Sequence, residues 1–226
     1  TTNNRFDEDY QPLLPYGFGL SYGEKNILSD NLGVSTQRTA TSLQSIPLFE
    51  SSIKAPWKMM IIDSDSSSVM TSSIVENKAV YFRTIDRTVQ EDARRAKFNG
   101  SEKGQVAFIS NYATDFTAYK EVNSTLELTV RLTEPRNLSK QQDVYLSMGC
   151  GEQCQGKVNI TKELSLFETN QWQTLHIDLK CFEKNGADLS KVTSPFSLST
   201  AAKLTIDFTD VFIKPNSADT ANISCH

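Results

Sequence analysis

The chain has 226 residues, 38% of them hydrophobic and 22% charged, which is enough apolar material for one sizeable core. A formal net charge of −4 argues against nucleic acid as a partner, because phosphate binding needs a basic patch. No apolar run approaches the roughly 20 residues of a membrane span, so no membrane partner is expected.

The first 22 residues contain Leu13-Leu14-Pro15-Tyr16-Gly17-Phe18-Gly19-Leu20-Ser21-Tyr22. Pro15 fixes one backbone angle there, while Gly17 and Gly19 permit turns that Cβ-bearing residues resist. Tyr16, Phe18 and Tyr22 need a neighbouring body of protein to cover them. Residues 23–45 are polar and aperiodic, as in Ser35-Thr36-Gln37-Arg38-Thr39-Ala40-Thr41-Ser42, the pattern of a linker. The folded body is expected over residues 46–226.

Within that body, short β-like runs alternate with turn residues. Trp57–Ile62 is apolar enough for burial on both faces, and Ala79–Ile85 and Gln105–Ile109 are β-branched and aromatic. Val89–Arg95 has a helical reading, although the run is short enough for an irregular strand. In Leu126–Leu132 the apolar residues alternate with Glu127, Thr129 and Arg131, which is the two-residue strand period. Asp143–Met148 repeats it, and Lys157–Thr161 adds a short strand. In Gln171–Leu179, Leu175, Ile177 and Leu179 face one way and Trp172, Thr174 and His176 the other. At the start of a strand, Trp172 is expected to cap the edge of the core. Leu204, Ile206 and Phe208 share a face, but Val211 and Ile213 switch phase, which places a β-bulge near Asp210. This is the pattern of an all-β fold, a jelly-roll β-sandwich.

The four cysteines allow three connectivities. The expected one joins Cys150 to Cys154 across a glycine-flanked loop and Cys181 to Cys225, pinning the last residues. With only His176 and His226, and no Cys-x-x-Cys, zinc is not expected. Oxidised cysteines imply an extracellular or periplasmic location.

The segment Leu13–Tyr22 resembles the stretch that closes the second domain of glycoside hydrolase family three enzymes, the exo-acting β-glucosidases and β-glucan glucohydrolases. Residues 1–22 then read as the tail of a preceding hydrolase domain. The strand series that follows resembles the galactose-binding-like domain attached behind the catalytic domains of some bacterial members. The words that carry this are Val89–Arg95 with Phe98-Asn99-Gly100, Cys150-Gly151-Glu152-Gln153-Cys154, Trp172–Leu175 leading into Leu179–Phe182, and Pro195–Thr200. Phe98 departs from the tryptophan expected at that place, which puts in doubt any sugar-stacking role there.

Glycoside hydrolysis needs two carboxyl groups flanking the scissile bond. The family's nucleophile aspartate belongs to the catalytic domains and has no counterpart here, so no catalytic residue is expected. Sugar recognition needs flat aromatic faces with amides and carboxylates nearby. Asn111, Tyr112, Asp115 and Tyr119 offer that mixture, with the tyrosines stacking and Asn111 and Asp115 bonding hydroxyls. Against this stands the reading in which Phe116 plugs the core and both tyrosines pack along a rim. By family analogy, Gln90 would hydrogen-bond a sugar at the mouth of the parent enzyme's pocket. Asp63-Ser64-Asp65 begins like an EF-hand loop, but Ser68 and Ile74 stand where glycine and glutamate belong. A structural calcium of another kind would draw on Asp63, Asp65, Asp207 or Asp210; no other cofactor is expected.

The resemblance thus implies a non-catalytic carbohydrate-binding-like domain of an exo-β-glucanase. Its partners would be β-glucan oligosaccharides and the catalytic domains of the same polypeptide. The competing expectation is a purely architectural domain that stabilises its enzyme and has no sugar affinity of its own.

Overall fold

Alternating apolar and polar residues can bury one face only by pairing into sheets that stack, and the chain does this twice over. The computed structural model describes residues 43–133 and 143–225. The tail and linker expected over residues 1–45, including Tyr16, Phe18 and Tyr22, fall outside these residues except for the last three positions.

In chain order the strands are β1 (Ile46–Glu50), β2 (Ser52–Ile53), β3 (Lys58–Ile62), β4 (Ser67–Val69), β5 (Ile74–Glu76), β6 (Val80–Ile85), β7 (Ala93–Asn99) and β8 (Gly104–Ile109). A short helix α1 (Thr117–Glu121) leads to β9 (Thr125–Leu132), β10 (Val144–Gly149) and β11 (Gln155–Asn159). Then come α2 (Thr161–Leu166), β12 (Gln173–Asp178), α3 (Leu179–Lys184), β13 (Ser194–Thr200) and the long β14 (Lys203–Lys214). One sheet has the order β12-β9-β14-β7-β6-β5, with β1 and β2 attached to β14; the other runs β11-β10-β13-β8-β3-β4. Among the described residues every strand pair is antiparallel.

Phenylalanines from both sheets meet in the centre. The Phe208 ring centroid lies 5.5 Å from Phe196, 6.0 Å from Phe82 and 6.2 Å from Phe49, and Phe108 lies 4.6 Å from Phe196. All five are fully buried, so each contributes area burial plus favourable tilted ring contacts. Trp57 joins this core. Phe98 also points into it, so no sugar can stack at that position.

Strand β14 is long enough to serve two partners on one side. It pairs β7 through Phe208 and β1 from Val211 onward. The register shifts between Thr209 and Phe212, and Asp210 takes φ +50°, so the expected bulge sits where the partner changes.

Two expectations need correction. Val89–Arg95 is not helical: residues 86–92 form a turn and β7 begins at Ala93. The cause is Asp92, whose buried carboxylate accepts the backbone N–H groups of Arg87, Thr88 and Val89 at 2.6, 2.9 and 3.0 Å, holding a turn where a helix would need those amides along its axis. The second is β3, which buries Met59 and Ile61 on one face only, while Met60 and Ile62 are partly covered.

Candidate functional site

Register brings the outward-facing residues of the first sheet into two adjoining rows. Tyr81 pairs with Lys97, which pairs with Thr205; beside them Arg83 pairs with Arg95, Arg95 with Asp207, and Asp207 with Arg131. Glu76 extends the first row from the edge strand β5. Because side chains alternate across a strand, all of these point away from the phenylalanine core.

Asp207 organises this face. It is fully buried, yet it lies on the outer side of its strand, beneath two guanidinium groups. Arg95 donates to it through Nε at 2.7 Å and through a terminal nitrogen at 2.9 Å; Arg131 donates through the same pair of positions at 3.0 and 2.7 Å. Paired N–H donors on a carboxylate are the strong, geometrically specific form of ion pair. Arg131 also stacks over Trp172, 4.6 Å from the ring centroid, and Arg87 approaches the same ring at 5.2 Å. Trp172 is therefore part of the outer face, which corrects the expectation that it caps the core.

Next to this network the face opens into a groove of about 700 Å³, lined by Glu76, Tyr81, Arg83, Arg95, Lys97 and Thr205 among others. That volume suits a small ligand or a few sugar units. Farther along the sheet, Glu127 holds Lys214 at 2.5 Å, with His176 Nδ1 at 3.2 Å.

The residues singled out as sugar contacts lie elsewhere. Strand β7 runs away from the 86–92 turn and β8 returns, so Gln90 and the 111–119 segment occupy the same end of the sandwich. Gln90 is exposed on the turn that Asp92 braces. Burial works to raise the Asp92 pKa, but the backbone amides of Val89, Arg87 and Thr88 hold it below the ordinary carboxylate value. Tyr112 is 76% exposed and offers an open ring. Asn111 is exposed beside it.

Tyr119 and Asp115 are engaged internally. Tyr119 packs edge-on to the buried Phe116 at 6.1 Å and donates its hydroxyl to the Gln44 carbonyl at 2.7 Å. Burial pushes the Tyr119 pKa up. Asp115 accepts the Thr117 amide at 2.8 Å at the start of α1, and the Thr117 side chain and amide together lower its pKa. Phe116 does plug the core.

The four carboxylates named for calcium do not converge, and among the described residues no group of three His, Cys, Asp or Glu is placed to hold a metal ion. Asp63 accepts the amides of Asp65, Ser66 and Lys78, and Asp65 pairs with Lys78. Asp207 is taken by two arginines and Asp210 by Arg87, the wrong surroundings for a cation. The cysteines pair as expected, Cys150 with Cys154 and Cys181 with Cys225.

The outer-face network escaped the reading of isolated runs. Its only signal was the shared outward parity of Tyr81, Arg83, Arg95, Lys97, Arg131 and Asp207 on four separate strands.

A family model described as galactose-binding domain-like, Exop_C, matches residues 55–213. No curated protein sequence matches the chain. Among solved structures, the fold is similar to the exo-1,3/1,4-β-glucanase of a Pseudoalteromonas species, with TM-score 0.62 and 18% identity over 76% of this chain and 21% of that one. The chain therefore spans about a fifth of that enzyme's length. The extra C-terminal domain of the same enzyme, solved separately, matches with TM-score 0.62 and 17% identity over 80% of this chain and 99% of that domain. A family 30 carbohydrate-binding module from a Clostridium thermocellum cellulase matches with TM-score 0.53 and 17% identity, over 76% and 98% of the two chains.

Proposed function

The chain belongs to the Exop_C family of galactose-binding-domain-like modules, and on that premise we propose that it is a non-catalytic sugar-binding domain of a secreted exo-β-glucanase. The observation that carries this reading is the groove on the outer face of the first sheet. It combines an aromatic ring, Tyr81, with hydrogen-bonding side chains on a rigid sheet, the mixture a pyranose requires.

A tethered domain of this kind raises the local concentration of substrate around its enzyme without new chemistry. The carboxylate deepest in the face, Asp207, is clamped by two arginines and so is not poised for acid or base work. A parent enzyme of glycoside hydrolase family three is supported by the sequence of residues 13–22 and by the similarity to the Pseudoalteromonas exo-1,3/1,4-β-glucanase. Two disulfides support an extracellular or periplasmic setting.

Gln90 and Tyr112 would act at the domain's end as contacts to longer β-1,3 or β-1,4 glucans held by the parent enzyme. Tyr119 and Asp115 favour the architectural reading for their own loop, since both are tied to this domain's backbone.

Titration of the chain with laminari- and cello-oligosaccharides tests the proposal. Saturable binding in the millimolar range or tighter is the expected result, and flat titrations with every glycan would leave the architectural domain as the correct reading.

A further inference from the structure

The charges in the groove are unlike those of the chain as a whole. With a net charge of −4 the protein is acidic, yet this face gathers Arg83, Arg95, Lys97 and Arg131 against Asp207 and Glu76. Asp207 is consumed by Arg95 and Arg131. The side chains of Arg83 and Lys97 make no hydrogen bond or ion pair with any of the described residues.

Register gathers these cations on one face. Arg83 stands directly opposite Arg95 on the neighbouring strand, and Lys97 is one same-face position along from Arg95. Because Asp207 already neutralises Arg95, Arg83 and its diagonal neighbour Lys97 are the two side chains placed to clamp a bound anion. Tyr81, opposite Lys97 and partly buried, places a flat ring beside that clamp.

From this juxtaposition we infer that the groove takes an acidic glycan, an oligosaccharide whose units carry carboxylate or sulfate groups. Arg83 and Lys97 bind the anion and Tyr81 stacks on the sugar ring. The inference rests on the sugar-binding reading above and specifies its ligand class. A domain with this preference would anchor its enzyme in an acidic polysaccharide that accompanies the glucan being degraded.

Calorimetric titration of the whole chain tests this with four ligands of similar length: a neutral laminari-oligosaccharide, its sulfated derivative, an oligouronate and oligodeoxythymidylate. The acidic sugars should bind at least about tenfold more tightly than the neutral one, and the advantage should shrink as salt is raised. The tighter of the two acidic sugars identifies the anion as sulfate or carboxylate. Arg83→Gln and Lys97→Ala should each remove most of the advantage. Their melting temperatures should stay within about 2 °C of the parent, since neither side chain ties another element down.

Equal affinity for neutral and acidic sugars overturns the inference and leaves the sugar-binding reading standing. Binding to no sugar at all overturns both. Oligodeoxythymidylate bound as tightly as the acidic sugars marks a general polyanion surface and overturns the inference, as does full acidic-sugar affinity in both variants.

Discussion

Asp207 shows how one buried charge sets the character of a whole face. A carboxylate with no exposure is tolerable only because four N–H donors from Arg95 and Arg131 surround it. Asp207→Ala should therefore cost about 3–5 kcal/mol in urea denaturation, because two guanidinium groups lose their partner in a partly desolvated site. A cost below about 1 kcal/mol would show that solvent screens the cluster.

Asp188 provides a separate test at this scale. Its carboxyl is lowered from 3.8 to about 2, chiefly by the Ser190 hydroxyl at 2.6 Å, with Lys191 at 3.0 Å and the Ser190 amide. A depressed carboxyl pKa contributes stability that is present above the ordinary value and is lost as pH falls through about 2. Carboxyl NMR titration should find the Asp188 midpoint near that value, and Ser190→Ala should move it back toward 3.8.

At the scale of elements, the turn between β6 and β7 and the seat of α3 both depend on single residues. Asp92 satisfies three backbone amides in the turn, while its own carbonyl accepts the Thr209 hydroxyl at 2.8 Å, which fastens the turn to β14. Asp92→Ala should destabilise the fold by about 1–3 kcal/mol and speed hydrogen exchange at residues 87–89, because those donors lose their acceptor. Gly156 in β11 lies against α3, where an added Cβ would stand 1.9 Å from the Phe182 carbonyl oxygen. That atom is backbone and cannot swing aside. Gly156→Ala should cost about 1–3 kcal/mol or more, read from thermal melts, with the loss arising from displacement of α3.

For the molecule as a whole, two disulfides supplement a core shared by both sheets. Cys181 and Cys225 are 44 residues apart in sequence, and their link holds the carboxy-terminal segment against α3. In the chain-entropy model it stabilises by about 4 kcal/mol, against about 2 kcal/mol for the Cys150–Cys154 link. Replacing Cys181 and Cys225 by serine should therefore lower stability more than replacing Cys150 and Cys154. The denatured, unreduced protein should contain no free thiol.

The local grammar of the chain carried far. Alternation in Leu126–Leu132 and Leu204–Phe208 and the phase switch at Asp210 could be read from neighbouring residues, because side-chain period is a property of one strand. Membership of a sandwich followed from the number of such strands. The helical reading of Val89–Arg95 failed because Asp92 reached back to three amides, a competition that composition does not reveal. The binding face lay further out of reach. Asp207 meets Arg131 and Arg95 across 76 and 112 residues of sequence, and Arg83 meets Arg95 only because β6 and β7 pair in one register. Parity told which side of its own strand each residue takes. Which residues became neighbours was set by strand order and register, and these are settled by hydrogen-bond pairing and core packing over the whole sandwich.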